Sequence, residues 1–287
     1  MKERSLLVFT ILSQAAVGTT LFTCALYFWP LNTLNQGELA SLLETPLLLS
    51  FLAALAALSI SFFHLGKPLN AFNALRHLRS SSLSNEVFSA SLFLLFLSFT
   101  LADIHYSILP EIVHQLLLAS LYGIGIFFMY EMAQLYRLKT VPFWNSKLTL
   151  ASFFTTTLLL GSASLYALIP LYGENNGTLL QSPKLILVFA CGFFCLVQAA
   201  ITLLHLRTIE TFPEDIRVHL VMRRKSNRTL ITARLSILSF LAILSIALSI
   251  LPDLGSSDIG IVLFLLTLIA EFLGRSIFYS MFVRVGV

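Results

Sequence analysis

The sequence has 287 residues, 57% of them hydrophobic and only 11% charged, with 18 Lys and Arg against 14 Asp and Glu for a net charge of +4. A soluble domain carries about 25% charged residues, and a water-soluble fold of this length could not hide so much apolar surface and still find charge for its exterior. This excludes a globular cytoplasmic enzyme, a disordered chain and a nucleic-acid binder, and with a mean hydropathy of +0.88 it indicates an all-α polytopic membrane protein. The apolar runs are continuous rather than alternating, so a β-barrel is excluded as well.

A bilayer core of roughly 30 Å needs about 20 apolar residues in a helix. Eight segments meet that requirement, at 6–29, 46–64, 86–104, 111–136, 148–171, 184–206, 230–251 and 259–283. The first follows Met1-Lys2-Glu3-Arg4, which looks like the start of a signal peptide. Its apolar run is too long for that and no small-x-small cleavage site follows, so it reads as a retained span. The 65–85 and 207–229 connections are long enough for short interfacial helices or a docking surface, and no soluble domain fits anywhere in the chain.

Fifteen of the 18 Lys and Arg fall at the N-terminus, in the 2–3, 4–5 and 6–7 connections and at the C-terminus. Lys184 is alone on the opposite face, while Arg234 and Arg275 lie inside spans. The positive-inside rule then places both termini in the cytoplasm. The chain reads as one membrane domain, 1–287, with two possible four-helix halves at 1–140 and 141–287. The halves share a faint likeness: span 2 ends ISFFHLGK and span 6 ends AITLLHLRT, and Ser84-Asn85-Glu86 and Ser226-Asn227-Arg228 follow about twenty residues later. Parallel duplication and chance similarity in Leu-rich sequence both account for this.

An ionised group at the bilayer centre costs at least about 2.5–3.5 kcal/mol, so each one needs a partner or a role. His64 ends span 2 and Glu86 opens span 3, both on the basic face at similar depth. An imidazole beside a carboxylate in a semi-dry pocket is suited to taking a proton from a weak acid; two interfacial side chains meeting water is the bland alternative. Glu131, about a turn and a half inside span 4, either lines the same cavity or pairs with a Lys or Arg by snorkelling. Glu271 and Arg275 stand at i and i+4 in span 8 and are expected to form a structural ion pair. Bis-histidine haem ligation needs matched imidazoles on facing helices; His64 and His205 could supply one pair, but four well-placed His are lacking, so no haem is expected. Cys191 and Cys195 read as small packing residues, and no metal site is expected.

Three stretches together resemble the anchor subunits of anaerobic dimethyl sulfoxide (DMSO) reductases, the DmsC family. They are His64-Leu65-Gly66-Lys67-Pro68 with Ala71-Phe72-Asn73 and Leu83-Ser84-Asn85-Glu86; Thr140-Val141-Pro142-x-Trp144; and Glu271-Phe272-Leu273-Gly274-Arg275-x-x-Phe278-Tyr279. The resemblance implies a bacterial inner-membrane anchor that binds menaquinol as substrate and lacks haem. It also implies a molybdopterin catalytic subunit and an iron–sulfur subunit with [4Fe-4S] clusters as partners. The family's quinol-site acid falls on Glu86 and the histidine of its HLG motif on His64, with Asn85 and Glu131 as further candidates for the quinol site. An anchor for a related reductase of polysulfide, tetrathionate, selenate or an N-oxide is the alternative. A secondary transporter is a more distant one, and it would require helices broken near the midplane.

Overall fold

A computed structural model of the chain describes residues 2–28, 36–64, 81–172, 180–251 and 257–285. Among these residues the structure is all helical, with α1 (Lys2–Tyr27), α2 (Gln36–His64), α3 (Ser82–Tyr106), α4 (Glu111–Tyr136), α5 (Lys147–Leu168), α6 (Gln181–Arg207), α7 (Glu214–Ser226), α8 (Arg228–Ile250) and α9 (Ser257–Ser280). All but α7 are long and apolar enough to cross a bilayer, which gives the eight spans expected.

Most ends agree with the apolar runs to within a few residues, and α4 starts and stops where the sequence places it. The largest difference is at α2. The apolar run opens at Pro46, yet the helix begins ten residues earlier and passes through that proline. An unbroken apolar run marks only part of a helix: Gln36, Glu38 and Glu44 interrupt the pattern in Gln36–Glu44, yet the helix continues through them and buries Leu42 and Leu43. Pro46 removes one backbone donor, the bond to the Leu42 carbonyl; one turn on, the Ser50 hydroxyl donates to the Pro46 carbonyl at 2.8 Å. Serines cap two other spans. Ser146 accepts from the Leu148 N–H at 3.1 Å to open α5. Ser107 adopts the left-handed conformation, φ 50°, that closes α3.

The 207–229 connection contains the interfacial helix that its length allows. In α7, Glu214 and Asp215 lie in the first turn and Arg223, Arg224 and Lys225 in the last, matching the helix dipole at both ends. Ile216 and Leu220 are its buried side. Arg223 donates to the Ser280 carbonyl at 2.6 Å and Asn227 to the Ser280 hydroxyl at 2.9 Å, so α7 closes over the end of α9. The 65–80 part of the other long connection lies outside the described residues.

α1 is the central helix, 78% buried over its apolar window, and packs against α2, α4, α5 and α9. Lipid removes most of the hydrophobic drive for helix association, so close packing of small residues carries more of it. Gly18 and Gly161 bring α1 and α5 into backbone contact. A Cβ on Gly18 would lie 2.0 Å from the Thr157 carbonyl oxygen, and one on Gly161 would lie 2.2 Å from the Gly18 carbonyl carbon. Beside this crossing the Gln14 amide donates to the Phe153 carbonyl at 2.8 Å. Gly161→Ala should therefore lower stability by about 1–3 kcal/mol through overpacking. Gly123→Ala, where nothing stands within 4 Å, should be neutral or gain up to about 1 kcal/mol from helix propensity. Unfolding of both variants in detergent checks this difference.

Candidate functional site

Glu86 is the fifth residue of α3, about 6 Å along the helix from its basic-face end. It is 4% exposed, and its Oε1 atom has no hydrogen-bond partner among the described residues. Glu86 shares the basic-face end of the bundle with Tyr136, the last residue of α4, and Tyr279, near the end of α9. These two tyrosines form a pair: the Tyr279 hydroxyl donates to the Tyr136 hydroxyl at 2.8 Å and meets Thr10 of α1 at 3.5 Å. Tyr136 thus accepts from Tyr279 and keeps its own proton to donate. An unpaired carboxylate oxygen and a donating phenol at one end of the bundle are complementary to a ligand hydroxyl, which can donate to the first and accept from the second.

The 137–146 connection supports this corner. Trp144 donates to the Phe278 carbonyl at 2.8 Å and stacks on the Phe278 ring at 5.0 Å. Tyr136 meets Phe153 at 5.2 Å and Phe278 at 5.8 Å. The resulting aromatic wall holds Tyr136 and Tyr279 in place, and the Val285 N–H to Thr140 carbonyl bond at 2.9 Å pins the end of the chain against the same turn.

A second polar cluster lies beyond this wall, and it corrects one expectation. Glu271 does not pair with Arg275. Its ion-pair partner is Arg234 of α8, at 3.3 Å, and it also accepts from Thr156 of α5 at 2.6 Å and Gln198 of α6 at 3.2 Å. Arg275 turns away to α1, where it donates to the Gln14 side-chain oxygen at 2.9 Å and lies 3.5 Å over the Phe153 ring. The i, i+4 rule describes neighbours on an isolated helix. In this bundle Glu271 faces three other helices at once, and the bare Gly274 backbone gives Arg234 its place: a Cβ there would come 2.3 Å from the Arg234 guanidinium carbon.

The remaining sequence candidates divide. His64 ends α2, but its side chain lies outside the described residues, as does the 65–80 segment that would border a pocket between spans 2 and 3. Asn85 is half-buried beside Glu86, and its backbone N–H closes the first turn on the Ser81 carbonyl at 3.1 Å. Glu131 is half-buried, and no described residue forms an ion pair or hydrogen bond with it. His205 stacks on Phe143 at 4.2 Å and bonds its carbonyl at 2.8 Å. Cys191 and Cys195 are buried in the α5–α6–α8 core. A separate apolar crevice of about 430 Å³ runs between α1, α2, α5 and α9, from Leu12 and Leu268 to Leu168 and Ile261. Its hydroxyls are spent on one another and on helix carbonyls, as in the Thr19–Ser164 pair.

Sequence reasoning passed over Tyr136, Gln14 and Gln198, met Tyr279 only as part of the span-8 motif and without a role, and gave Arg234 no partner. The available signal was two glutamines and an arginine inside spans that hold few other polar side chains, since such groups rarely face lipid.

The geometry describes a class of protein: an eight-span helical membrane protein whose α5, α6, α8 and α9 are tied together by a buried polar cluster. Comparison with known proteins narrows this. Residues 1–281 match the family model described as DMSO reductase anchor subunit (DmsC). The sequence is 32% identical over 294 residues to the C subunit of the anaerobic dimethyl sulfoxide reductase of Haemophilus influenzae, covering 99% of this protein and 96% of the relative. It is 26% identical over 300 residues to the corresponding C subunit of Escherichia coli, with the same coverage. It is 30% identical over 164 residues to the YnfH subunit of E. coli anaerobic dimethyl sulfoxide reductase, 55% of each protein. The protein belongs to the DMSO reductase anchor subunit family.

Breaking a buried ion pair strands the surviving charge, at a cost of about 3–5 kcal/mol. Arg234→Met should therefore destabilise the detergent-solubilised protein by about that amount. Pairing it with Glu271→Gln should recover most of the loss. The check is thermal or denaturant unfolding of the single and double variants.

Proposed function

We propose that the protein is the membrane anchor and menaquinol-oxidising subunit of an anaerobic DMSO reductase complex. The observation that carries the reading is Glu86: a family-motif acid, buried where α3 enters the membrane, with one oxygen unpartnered among the described residues. The relatives named as subunits of anaerobic dimethyl sulfoxide reductase support the terminal acceptor and the class of complex. The partners on this reading are an iron–sulfur subunit and a molybdopterin catalytic subunit. The location is the bacterial inner membrane, with both termini on the cytoplasmic side by the Lys and Arg bias.

In this mechanism a quinol hydroxyl donates to Glu86 Oε1 and its oxygen accepts from the Tyr136 hydroxyl. Glu86 takes the first proton, which makes the quinol a stronger reductant. His64, the motif histidine, is the expected acceptor of the second proton or the group that passes protons to water. Two electrons leave to the iron–sulfur partner, and the product is the quinone. The protein supplies binding, orientation and proton acceptors, and the redox chemistry belongs to the quinol and the partner clusters. The interfacial helix α7 and the 137–146 turn, both on the basic face, offer the docking platform. The eight spans run unbroken across the midplane among the described residues, unlike the interrupted helices of secondary transporters.

Glu86→Gln should lower quinol-dependent DMSO reduction by about 10²-fold or more, the usual contribution of a general base. Reduction driven by a dye that bypasses the quinol site should stay at the wild-type rate. Tyr136→Phe should show a smaller loss, about tenfold for one hydrogen bond of about 1.4 kcal/mol. Quinol-driven turnover at the wild-type rate in Glu86→Gln would reject the role.

A further inference from the structure

Between α5, α6, α8 and α9 lies a cavity of about 40 Å³, bounded by Thr156, Gln198, Thr202, Arg234, Glu271 and Arg275. Its charges do not balance. Arg234, Glu271 and Arg275 are all at most 5% exposed, and two guanidinium groups face one carboxylate. Arg234 takes the carboxylate as its ion-pair partner, whereas Arg275 meets an amide oxygen and a ring face, which are dipoles rather than charges. One net positive charge is thus buried well inside the membrane-spanning region, where an unbalanced ion is unfavourable.

The hydrogen bonding is incomplete around the same cavity. Arg234 Nε, Arg275 Nε and Gln198 Oε1 are buried and have no partner among the described residues. Two are donors attached to cations and one is an acceptor. A buried group left this way calls for a bound ion or ordered water. Size restricts the choice. A water needs about 10–15 Å³ measured this way, so 40 Å³ holds about three small particles. Sites for organic ligands are roughly 300–1,000 Å³, so a quinol head or a lipid phosphate with its ester chain does not fit. Phe143 and His205, the latter near the basic-face end of α6, also line it, and both are buried.

We infer that this cavity is a hydrated anion site that takes one monovalent anion of halide size from the basic-face solution. The anion accepts from the Arg234 and Arg275 guanidinium groups and brings the cluster to neutrality. A water donates one hydrogen to the anion and the other to Gln198 Oε1. The proposal does not rest on the quinol reading, because none of its groups is Glu86 or Tyr136, although Phe278 of the aromatic wall also lines the cavity.

Bromide is the probe. Crystals of the detergent-solubilised full-length protein soaked in sodium bromide should show an anomalous peak between Arg234 and Arg275. Replacing sodium gluconate with sodium bromide at constant ionic strength should raise the unfolding midpoint saturably, on the order of 2–4 °C. Arg275→Gln should abolish that response and Arg275→Lys should keep it. No peak in the cavity, together with equal midpoints in the two salts, overturns the proposal and leaves a cavity that holds water alone. A bromide response unchanged in Arg275→Gln also overturns it, because the anion then binds elsewhere. If Arg275→Gln does not fold, the wild-type peak and salt response decide the matter.

Discussion

The structure depends on one constraint: a charge inside the membrane must be answered by other side chains. Glu271 meets that constraint across four helices. It projects from α9 and receives hydrogen bonds from Thr156 of α5, Gln198 of α6 and Arg234 of α8. Each bond is modest by itself, but all of them need the same register of four helices, so the carboxylate selects one packing arrangement. Gly274 takes part by having no side chain, because the Arg234 guanidinium occupies the space where a Cβ would be. Arg275 extends the network to α1 through Gln14, whose amide also holds the Phe153 carbonyl beside the Gly18–Gly161 crossing. Close backbone approach and polar linkage thus meet at the centre of the bundle.

The two sides of the membrane are built differently. In the basic-face half, Glu86, the tyrosine pair and the Arg234–Glu271 cluster lie around an aromatic wall made by Tyr136, Trp144, Phe153 and Phe278. Away from this wall, between α1, α2, α5 and α9, lies an apolar crevice whose hydroxyls are already engaged. Asp103 at the charge-poor face is occupied too, by His114 and by the Leu109 N–H at 2.8 Å. Glu86, by contrast, keeps a carboxylate oxygen unpaired among the described residues. The proposed proton transfer is therefore located on the face where Lys and Arg gather and where α7 and the 137–146 turn are laid out.

Much of the architecture was legible in the sequence because the bilayer sets a length. About 20 apolar residues in a row have few alternatives, and Lys and Arg segregation fixes the alternation of the spans. The start of α2 was not legible, since Gln36, Glu38, Glu44 and Pro46 interrupt an apolar pattern that the helix nevertheless runs through. Glu86 stood out because a carboxylate in an apolar run is conspicuous. The partner of Glu271 did not, because spacing along one helix says nothing about which neighbouring helix comes closer; the nearest cation in sequence was Arg275, and the nearest in space is Arg234. Tyr136 and Tyr279 were hidden for another reason: in a protein with 8 Tyr and 25 Phe, an aromatic at a helix end looks like an interfacial anchor. Only the fold brings those two hydroxyls together, at the same end of the bundle as Glu86.

The central claim is that a quinol sits against Glu86, and direct binding tests it better than turnover. A fluorescent quinol-site analogue titrated into the purified complex should be quenched saturably with one site per anchor subunit. In Glu86→Gln the quenching should be lost or shifted at least tenfold in concentration, while the Arg234 cluster and the fold stay intact. Quenching with the same midpoint and stoichiometry in the variant would contradict the account.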